Sequence, residues 1–291
     1  MFVEERTRPI LDEVCLILDR SPAEAVLLRH HTNAVYAVGD VVVKISPLSV
    51  PLERVRRVVD LVAWLQARDF LTVALHPGIS QPIEVDGHAV TLWRRLDASV
   101  AQPITTGELG QLLRQLHALP LPPAGVPTVL DPINGIRRSV DASAILAPAD
   151  QELLAHRLGE LAPVWAAAMP WDSGLIQSDP QVRNALRRDD GIPVLADWDS
   201  ASDGPRMWDV ATVAVHCRRF GSHDFDDFVT AYGRDPRGWD RFEDLCRLRE
   251  LQMIATNARK SAPGSPAAAE VARRIAGLRA DPHAVMTWNI L

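Results

Sequence analysis

The hydrophobic period of this chain changes once, near residue 97, and that change limits the folds open to it. Upstream, "VYAVGDVVVKI" sets two short β-branched runs on either side of Gly39-Asp40, the pattern of an antiparallel hairpin. "HAVTLW" (88–93) adds a strand, while Val55, Val58, Val59, Val62 and Leu65 predict a helix over 52–67. Another helix is expected over 3–19, on Val3, Ile10, Leu11, Val14 and Leu18. Downstream, Leu109, Leu112, Leu113 and Leu116 recur at helical spacing behind Thr105 and Glu108, which have the spacing of a capping box. Helical patterns return at 150–168 and dominate 206–280, with "SAPGSPAAAE" (261–270) read as a loop before the last helix. Between them, "NALRR" and "IPVLADW" flank Asp189-Asp190-Gly191, a hairpin turn. The expected class is α+β, with a small β-rich domain over 1–97 and a larger, mainly helical domain over 98–291.

Composition narrows the partners. A chain of 291 residues can bury a full core, and a net charge of −6 argues against a nucleic-acid footprint. Cys15, Cys217 and Cys246 are odd in number and far apart, which suits neither a disulfide framework nor a structural zinc site. "MFVEERTRPILDE" carries no apolar secretory core, and no apolar run approaches the ~18 residues of a membrane span. A soluble cytoplasmic protein without a membrane partner is expected.

The chemistry concentrates in "GLIQSDPQVRNAL" (174–186) and "VLADWD" (194–199). Asp179 is followed five residues later by Asn184, and Asp197 stands eighteen residues after Asp179. Singly, such residues are ordinary turn and capping groups. Together they lie in one irregular loop and at the far end of the hairpin that follows it. The Asp197 carboxylate and the Asn184 carbonyl are hard oxygen ligands suited to Mg²⁺, which takes a few protein oxygens plus water and phosphate. Asp179 can orient a substrate hydroxyl and accept its proton. These are the parts needed for phosphoryl transfer from a nucleotide.

"IQSDPQVRN" followed by "LADWD" resembles the catalytic loop and metal segment of the aminoglycoside phosphotransferase family, a small-molecule branch of the protein-kinase-like superfamily with the pattern H-G-D-x-x-x-x-N and then I-D-W. "SDGPRMWDVA" resembles the segment that follows, and "ELGQLLRQLHALP" a family helix ending in L-H; the similarity spans about residues 25–216. The resemblance implies a two-lobed kinase-like fold with the nucleotide, ATP or GTP, between the lobes. It implies Asp179 as catalytic residue, Asn184 and Asp197 as Mg²⁺ ligands, and Asp209 as a brace for the catalytic loop. A phosphate-binding lysine belongs on the third strand, where Lys44 sits in "VVVKI". Of 31 basic residues only Lys44 and Lys260 are lysine, so a compact ammonium is kept here where arginine serves elsewhere. The other reading of Lys44 is an edge-strand lysine snorkelling to water. Its acidic partner should come from helix 52–67, from Asp60 or else Glu53. The nucleotide base would lie against the backbone near Trp93, Arg94 and Leu96.

The sequence also departs from the pattern. Gln177-Ser178 replaces His-Gly, where the family His supports the segment leading to Asp197. "RHHTNAVY" (29–36) occupies the place of the phosphate loop without a G-x-G-x-x-G. Trp198, between two aspartates, is a candidate to line the site. "DFDDF" (224–228), Glu243, Asp244 and Glu250 could draw a cationic acceptor, or serve as ordinary solvated helix faces. The expected function is phosphorylation of a hydroxyl on a small molecule, an aminoglycoside or other antibiotic among the candidates. The alternatives are a metabolic kinase for a sugar or amino alcohol, and a kinase-like binding protein with weak turnover.

Overall fold

The computed structural model describes residues 4–30, 32–96, 102–123, 125–169, 173–221 and 224–291. Its elements begin with α1 (Glu4–Ile17), β1 (Val26–His30), β2 (Ala34–Val38), β3 (Val41–Ile45), α2 (Leu52–Gln66), β4 (Ile83–Val85) and β5 (His88–Arg94). There follow α3 (Thr106–Ala118), β6 (Thr128–Val129), α4 (Pro132–Asp141), α5 (Pro148–Ala168) and β7 (Ser173–Ile176). Next come β8 (Ala185–Arg187), β9 (Pro193–Leu195), β10 (Ser202–Pro205), α6 (Met207–Phe220), α7 (Phe225–Tyr232), α8 (Phe242–Lys260) and α9 (Pro266–Ala280). These group into two compact units, the first Met1–Ile104, Pro122–Pro127 and Arg183–Ala201, the second Thr105–Leu121, Thr128–Val182 and Ser202–Leu291.

The first unit is built on an antiparallel sheet of order β1-β2-β3-β5-β4. Strand alternation decides its faces. Val41, Val43 and Ile45 are fully buried in one cluster with Ile10, Leu11 and Val14 of α1. Each such side chain contributes about 1.5–3 kcal/mol by leaving water. Lys44, between Val43 and Ile45, therefore points to the opposite face. It pairs in register with Val35 of β2 and Thr91 of β5. β3 is a central strand, so Lys44 is not on a sheet edge, and the snorkelling geometry does not apply.

The division differs from the one drawn at residue 97, a boundary that lies outside the described residues. The hairpin β8–β9 joins the first unit, for a local reason. Leu195 donates its backbone N–H to Leu71 O at 2.9 Å and accepts from Val73 N at 3.0 Å. Just beyond, Trp198 is 2% exposed, its indole N–H meets Thr72 Oγ1 at 2.8 Å, and its ring stands edge-on to Phe70 with centroids 6.0 Å apart. Trp198 is thus an anchor for the hairpin, where the sequence had suggested a lining residue.

In the second unit, Thr105 and Glu108 form the expected capping box ahead of α3. A three-stranded sheet of order β6-β10-β7 delivers the chain to the loop at Asp179. The loop before the last helix is shorter than the composition of 261–270 suggested, because Ser265 caps α9 and Pro266 occupies its first turn. Glu270 of α9 then ties down the end of the chain. Its carboxylate accepts from Arg273 at 2.8 Å, Arg274 at 2.9 Å, and the backbone N–H and side-chain amide of Asn289 at 3.0 and 2.9 Å.

Burial pushes the Glu270 pKa up, but these donors prevail and hold it at about 2, against an ordinary 4.5. Because the folded value is the lower one, this stabilisation is fully present above the unfolded pKa of 4.5 and is lost as pH falls through about 2. The shift corresponds to about 3 kcal/mol. Glu270→Gln is accordingly expected to lower stability at neutral pH and to flatten the acid dependence. Denaturant melts of both proteins between roughly pH 6 and 3 check this, and parallel curves would contradict it.

Candidate active site

Four of the sequence-selected residues fall into two groups, one in each unit. In the first unit, Ala185 pairs with Leu195 across the hairpin, and Ala196 N donates to Asn184 O at 2.8 Å. Asn184 and Asp197 therefore stand together at the open end of one hairpin, both half-buried. Asp197 takes the left-handed conformation, φ +57° and ψ +67°, a region aspartate tolerates at a modest cost that the flanking bonds must hold. Among the described residues no group of three or more His, Cys, Asp or Glu gathers as a metal cage. The donor set is instead one carboxylate and one amide oxygen. That fits Mg²⁺, which keeps water and substrate phosphate for the rest of its shell.

Lys44 belongs to the same unit. Its Nζ lies 2.7 Å from both carboxylate oxygens of Asp199. Asn33 Nδ2 adds a bond to Asp199 Oδ2 at 3.2 Å, and Arg54 reaches the Asp199 carbonyl at 3.2 Å. Burial raises the Asp199 pKa, but the Lys44 ammonium, Asn33 and Arg54 outweigh it and hold the carboxyl below its ordinary range. This corrects the pairing expected for Lys44. Asp60 and Glu53 sit at exposed positions of α2. The buried stripe of that helix is Val55, Val59, Val62 and Leu65, which turns the acids away, and the side chain α2 sends to Asp199 is Arg54. Trp93 and Arg94 end β5, half-buried and exposed in turn, and Leu96 follows half-buried. Of "RHHTNAVY", Arg29 and His30 close β1 and 34–36 open β2; His31 lies outside the described residues.

In the second unit, β7 runs into Gln177, Ser178 and Asp179. Ser178 has φ +69°, a costly conformation for a residue with a Cβ. Fully buried Asp209 at the start of α6 holds it there. Its two oxygens accept the backbone N–H groups of Gln177 and Ser178, each at 2.8 Å, and His117 Nε2 lies 3.2 Å from Oδ2. His117, the histidine that ends "LLRQLH", is fixed on its other side by the Tyr232 hydroxyl at 2.8 Å. The fully buried Gln177 accepts the Asp179 backbone N–H on its Oε1 at 2.8 Å. The sequence had set Gln177 under the segment preceding Asp197; the bond seen within this unit secures the amide of Asp179 itself.

Two residues that the sequence did not single out meet the Asp179 carboxylate. Arg249 Nη2 of α8 is 2.5 Å from Oδ1, and His216 Nε2 of α6 is 3.8 Å from the same oxygen. Gln181 adds a bond to Oδ2 at 3.2 Å. Burial favours the neutral acid, but the His216 ring and the Arg249 guanidinium outweigh it and hold the pKa below the usual carboxylate range. Asp179 is therefore an anion at neutral pH, fit to orient a hydroxyl but weak as a base. That suffices where the transition state is loose and little proton transfer is needed before the phosphoryl group leaves. Arg249 is visible in hindsight as a cation in the buried stripe of α8, with Leu245, Leu248 and Leu251.

The antiparallel five-stranded sheet, the helical remainder and the braced loop define a kinase-like α+β fold. The chain belongs to the phosphotransferase enzyme family, whose model matches residues 25–245. Its members phosphorylate hydroxyl groups. Among solved structures, the chain is similar to an amicoumacin kinase, hAmiN, in complex with AMP-PNP, Ca²⁺ and Ami, with a TM-score of 0.72 and 13% identity over 99% of this chain and 98% of that one. A choline kinase, LicA, from Streptococcus pneumoniae matches with a TM-score of 0.65 and 15% identity, over 94% and 99% of the two chains. An aminoglycoside phosphotransferase from Streptomyces rimosus gives 0.61 and 18%, over 85% and 97%. Identities this low carry the fold and not the acceptor. A search of curated proteins finds no match. No helix among the described residues is long and apolar enough to cross a membrane.

Proposed function

We propose that the protein transfers the γ-phosphate of ATP or GTP to a hydroxyl of a small molecule, using Mg²⁺. The first unit handles the donor: Asn184 and Asp197 would hold Mg²⁺, and Lys44, oriented by Asp199, would hold phosphate oxygens. Trp93, Arg94 and Leu96 at the end of β5 would meet the nucleotide base. The second unit handles the acceptor: Asp179 would orient the hydroxyl and take its proton as the new bond to phosphorus forms. The metal, when bound, neutralises charge on the phosphates. Asp209 keeps the Gln177–Asp179 turn in place without touching the reacting atoms.

The observation that carries this reading is the hairpin that puts Asn184 and Asp197 at one open end, in the unit whose central strand bears Lys44. On this reading one hairpin would supply both hard oxygens to the metal. The test is thermal. ATP or GTP with Mg²⁺ should raise the melting temperature, and EDTA should reverse most of the rise. Asp197→Ala should lose the Mg²⁺-dependent part; a full shift in that variant would remove the metal assignment.

A further inference from the structure

The solved structures similar to this chain include kinases of cationic molecules, and the sequence offered acidic residues that could attract such an acceptor. In the structure, every one of those acids is committed. Asp224 caps α7 through the backbone N–H of Asp226 at 2.8 Å. Asp226 pairs with Arg237 at 2.7 Å, and Asp227 accepts the Gly107 N–H at 2.7 Å. Glu243 pairs with Arg218 at 2.8 Å, and Asp244 with Arg247 at 2.9 Å. Glu250 takes the Arg219 guanidinium in a fork, 2.7 Å on each oxygen. Four of these acids are thus paired with arginines, and Asp224 and Asp227 are spent on backbone N–H groups.

The charged partner of the Asp179 carboxylate is a cation, Arg249. Arg249 is 8% exposed and aims one N–H at the Asp179 carboxylate and another at Gln252, while its Nε–H is buried without a hydrogen-bond partner. His216 Nε2 lies 3.8 Å from the same carboxylate oxygen. A separate cavity of ≈ 280 Å³, walled by α5, α8, α9 and the final segment, is lined by four arginines and by four acids, Glu160, Asp244, Glu250 and Asp281. Its Glu160 is tied to Arg157, as Asp244 and Glu250 are to their arginines. Yet Arg274 Nη1 and Arg157 Nε, also on its wall, are buried with no partner, and Arg274 as a whole is 2% exposed. Unpaired buried guanidinium N–H groups are costly, and an anion satisfies them best.

We infer that the acceptor is an anionic alcohol, a molecule whose hydroxyl is accompanied by a carboxylate or phosphate that Arg249 helps to receive. The inference rests on the phosphotransferase reading above and names its substrate class. The chemistry balances as for any alcohol: the hydroxyl oxygen bonds to the γ-phosphorus, the bond to the β–γ bridging oxygen breaks, the proton passes to Asp179, and nucleoside diphosphate leaves. Arg249 is a specificity-determining residue here. Its Nε–H, which neither Asp179 nor Gln252 satisfies, is left for an anionic group on the acceptor and offers nothing to an ammonium, a contrast worth on the order of 10²-fold in selectivity.

The experiment uses sets of acceptors with related carbon skeletons and different charge. One set is glycerol, glycerate, glycerol phosphate and 3-aminopropane-1,2-diol; a second is glucose, gluconate, glucose 6-phosphate and glucosamine; choline and kanamycin are added. Nucleoside diphosphate release with Mg²⁺ gives kcat/KM for each. Anionic members should lead and cationic members trail, by on the order of 10²-fold. Arg249→Met should raise KM for the anionic members more than for the neutral ones and shrink the gap, and Arg249→Lys should restore part of it. Preference for the amines, or no turnover of any anionic member by a protein that still shows Mg²⁺-dependent nucleotide stabilisation, overturns the inference and leaves the phosphotransferase reading standing. Loss of that nucleotide stabilisation in the wild type would overturn both. Should Arg249→Met fail to fold, the wild-type charge series and Arg249→Lys decide the matter.

Discussion

Asp179→Asn is expected to lower acceptor phosphorylation by about 10²–10⁴ while leaving nucleotide affinity close to that of the wild type. The substitution keeps the shape of the side chain and its hydrogen-bonding oxygen, so Arg249 still has a neutral acceptor. The backbone of the turn is held by Asp209 and by Gln177 Oε1, neither of which depends on the Asp179 carboxylate. What would be lost is the anion that, in the proposed function, orients the hydroxyl and accepts its proton. Near-normal kcat with a true acceptor would remove Asp179 from the chemistry.

Lys44→Ala is expected to weaken nucleotide binding, turnover, or both, by at least tenfold, the scale of a lost charge-assisted contact in a partly buried site. Lys44→Arg should restore little, because a planar guanidinium would pair as a fork with the Asp199 carboxylate, whereas the compact ammonium is the better point charge for nucleotide phosphates. The companion variants separate the two possible partners. Asp199→Asn should share part of the Lys44 defect, because it releases the lysine. Asp60→Asn, at an exposed position of α2, should behave as wild type. Titrating each variant with nucleotide and Mg²⁺, and measuring kcat alongside, checks this. A defect in Asp60→Asn with none in Asp199→Asn would reinstate the helix acid.

Much of this fold is legible in the sequence because its cues are local. Gly39 at φ +57° turns β2 into β3, and the Thr105–Glu108 box starts α3; both depend on residues within a few positions of each other. The loop and hairpin around Asp179, Asn184 and Asp197 are local in the same sense, since turn chemistry fixes their spacing. The ion pairs are not. Lys44 meets Asp199 across 155 residues and Asp179 meets Arg249 across 70, and neither contact leaves a periodic trace. The helix 52–67 shows its buried stripe plainly, yet the rotation that puts Arg54 rather than Asp60 against Asp199 is set by packing. The allocation of residues 183–201 to the first unit likewise follows from Leu195 bonding into the 71–73 segment, a pairing of two short runs that periodicity cannot register.

The central claim is that Asp179 serves a phosphoryl transfer from a Mg²⁺-bound nucleotide to a hydroxyl. Phosphorus NMR of the nucleotide, Mg²⁺ and an acceptor with either protein tests it most directly. The wild type should convert the γ-phosphate signal into that of a phosphomonoester on the acceptor, and Asp179→Asn, binding the same nucleotide, should leave the γ-phosphate in place. A phosphomonoester formed at the wild-type rate by Asp179→Asn would contradict the account.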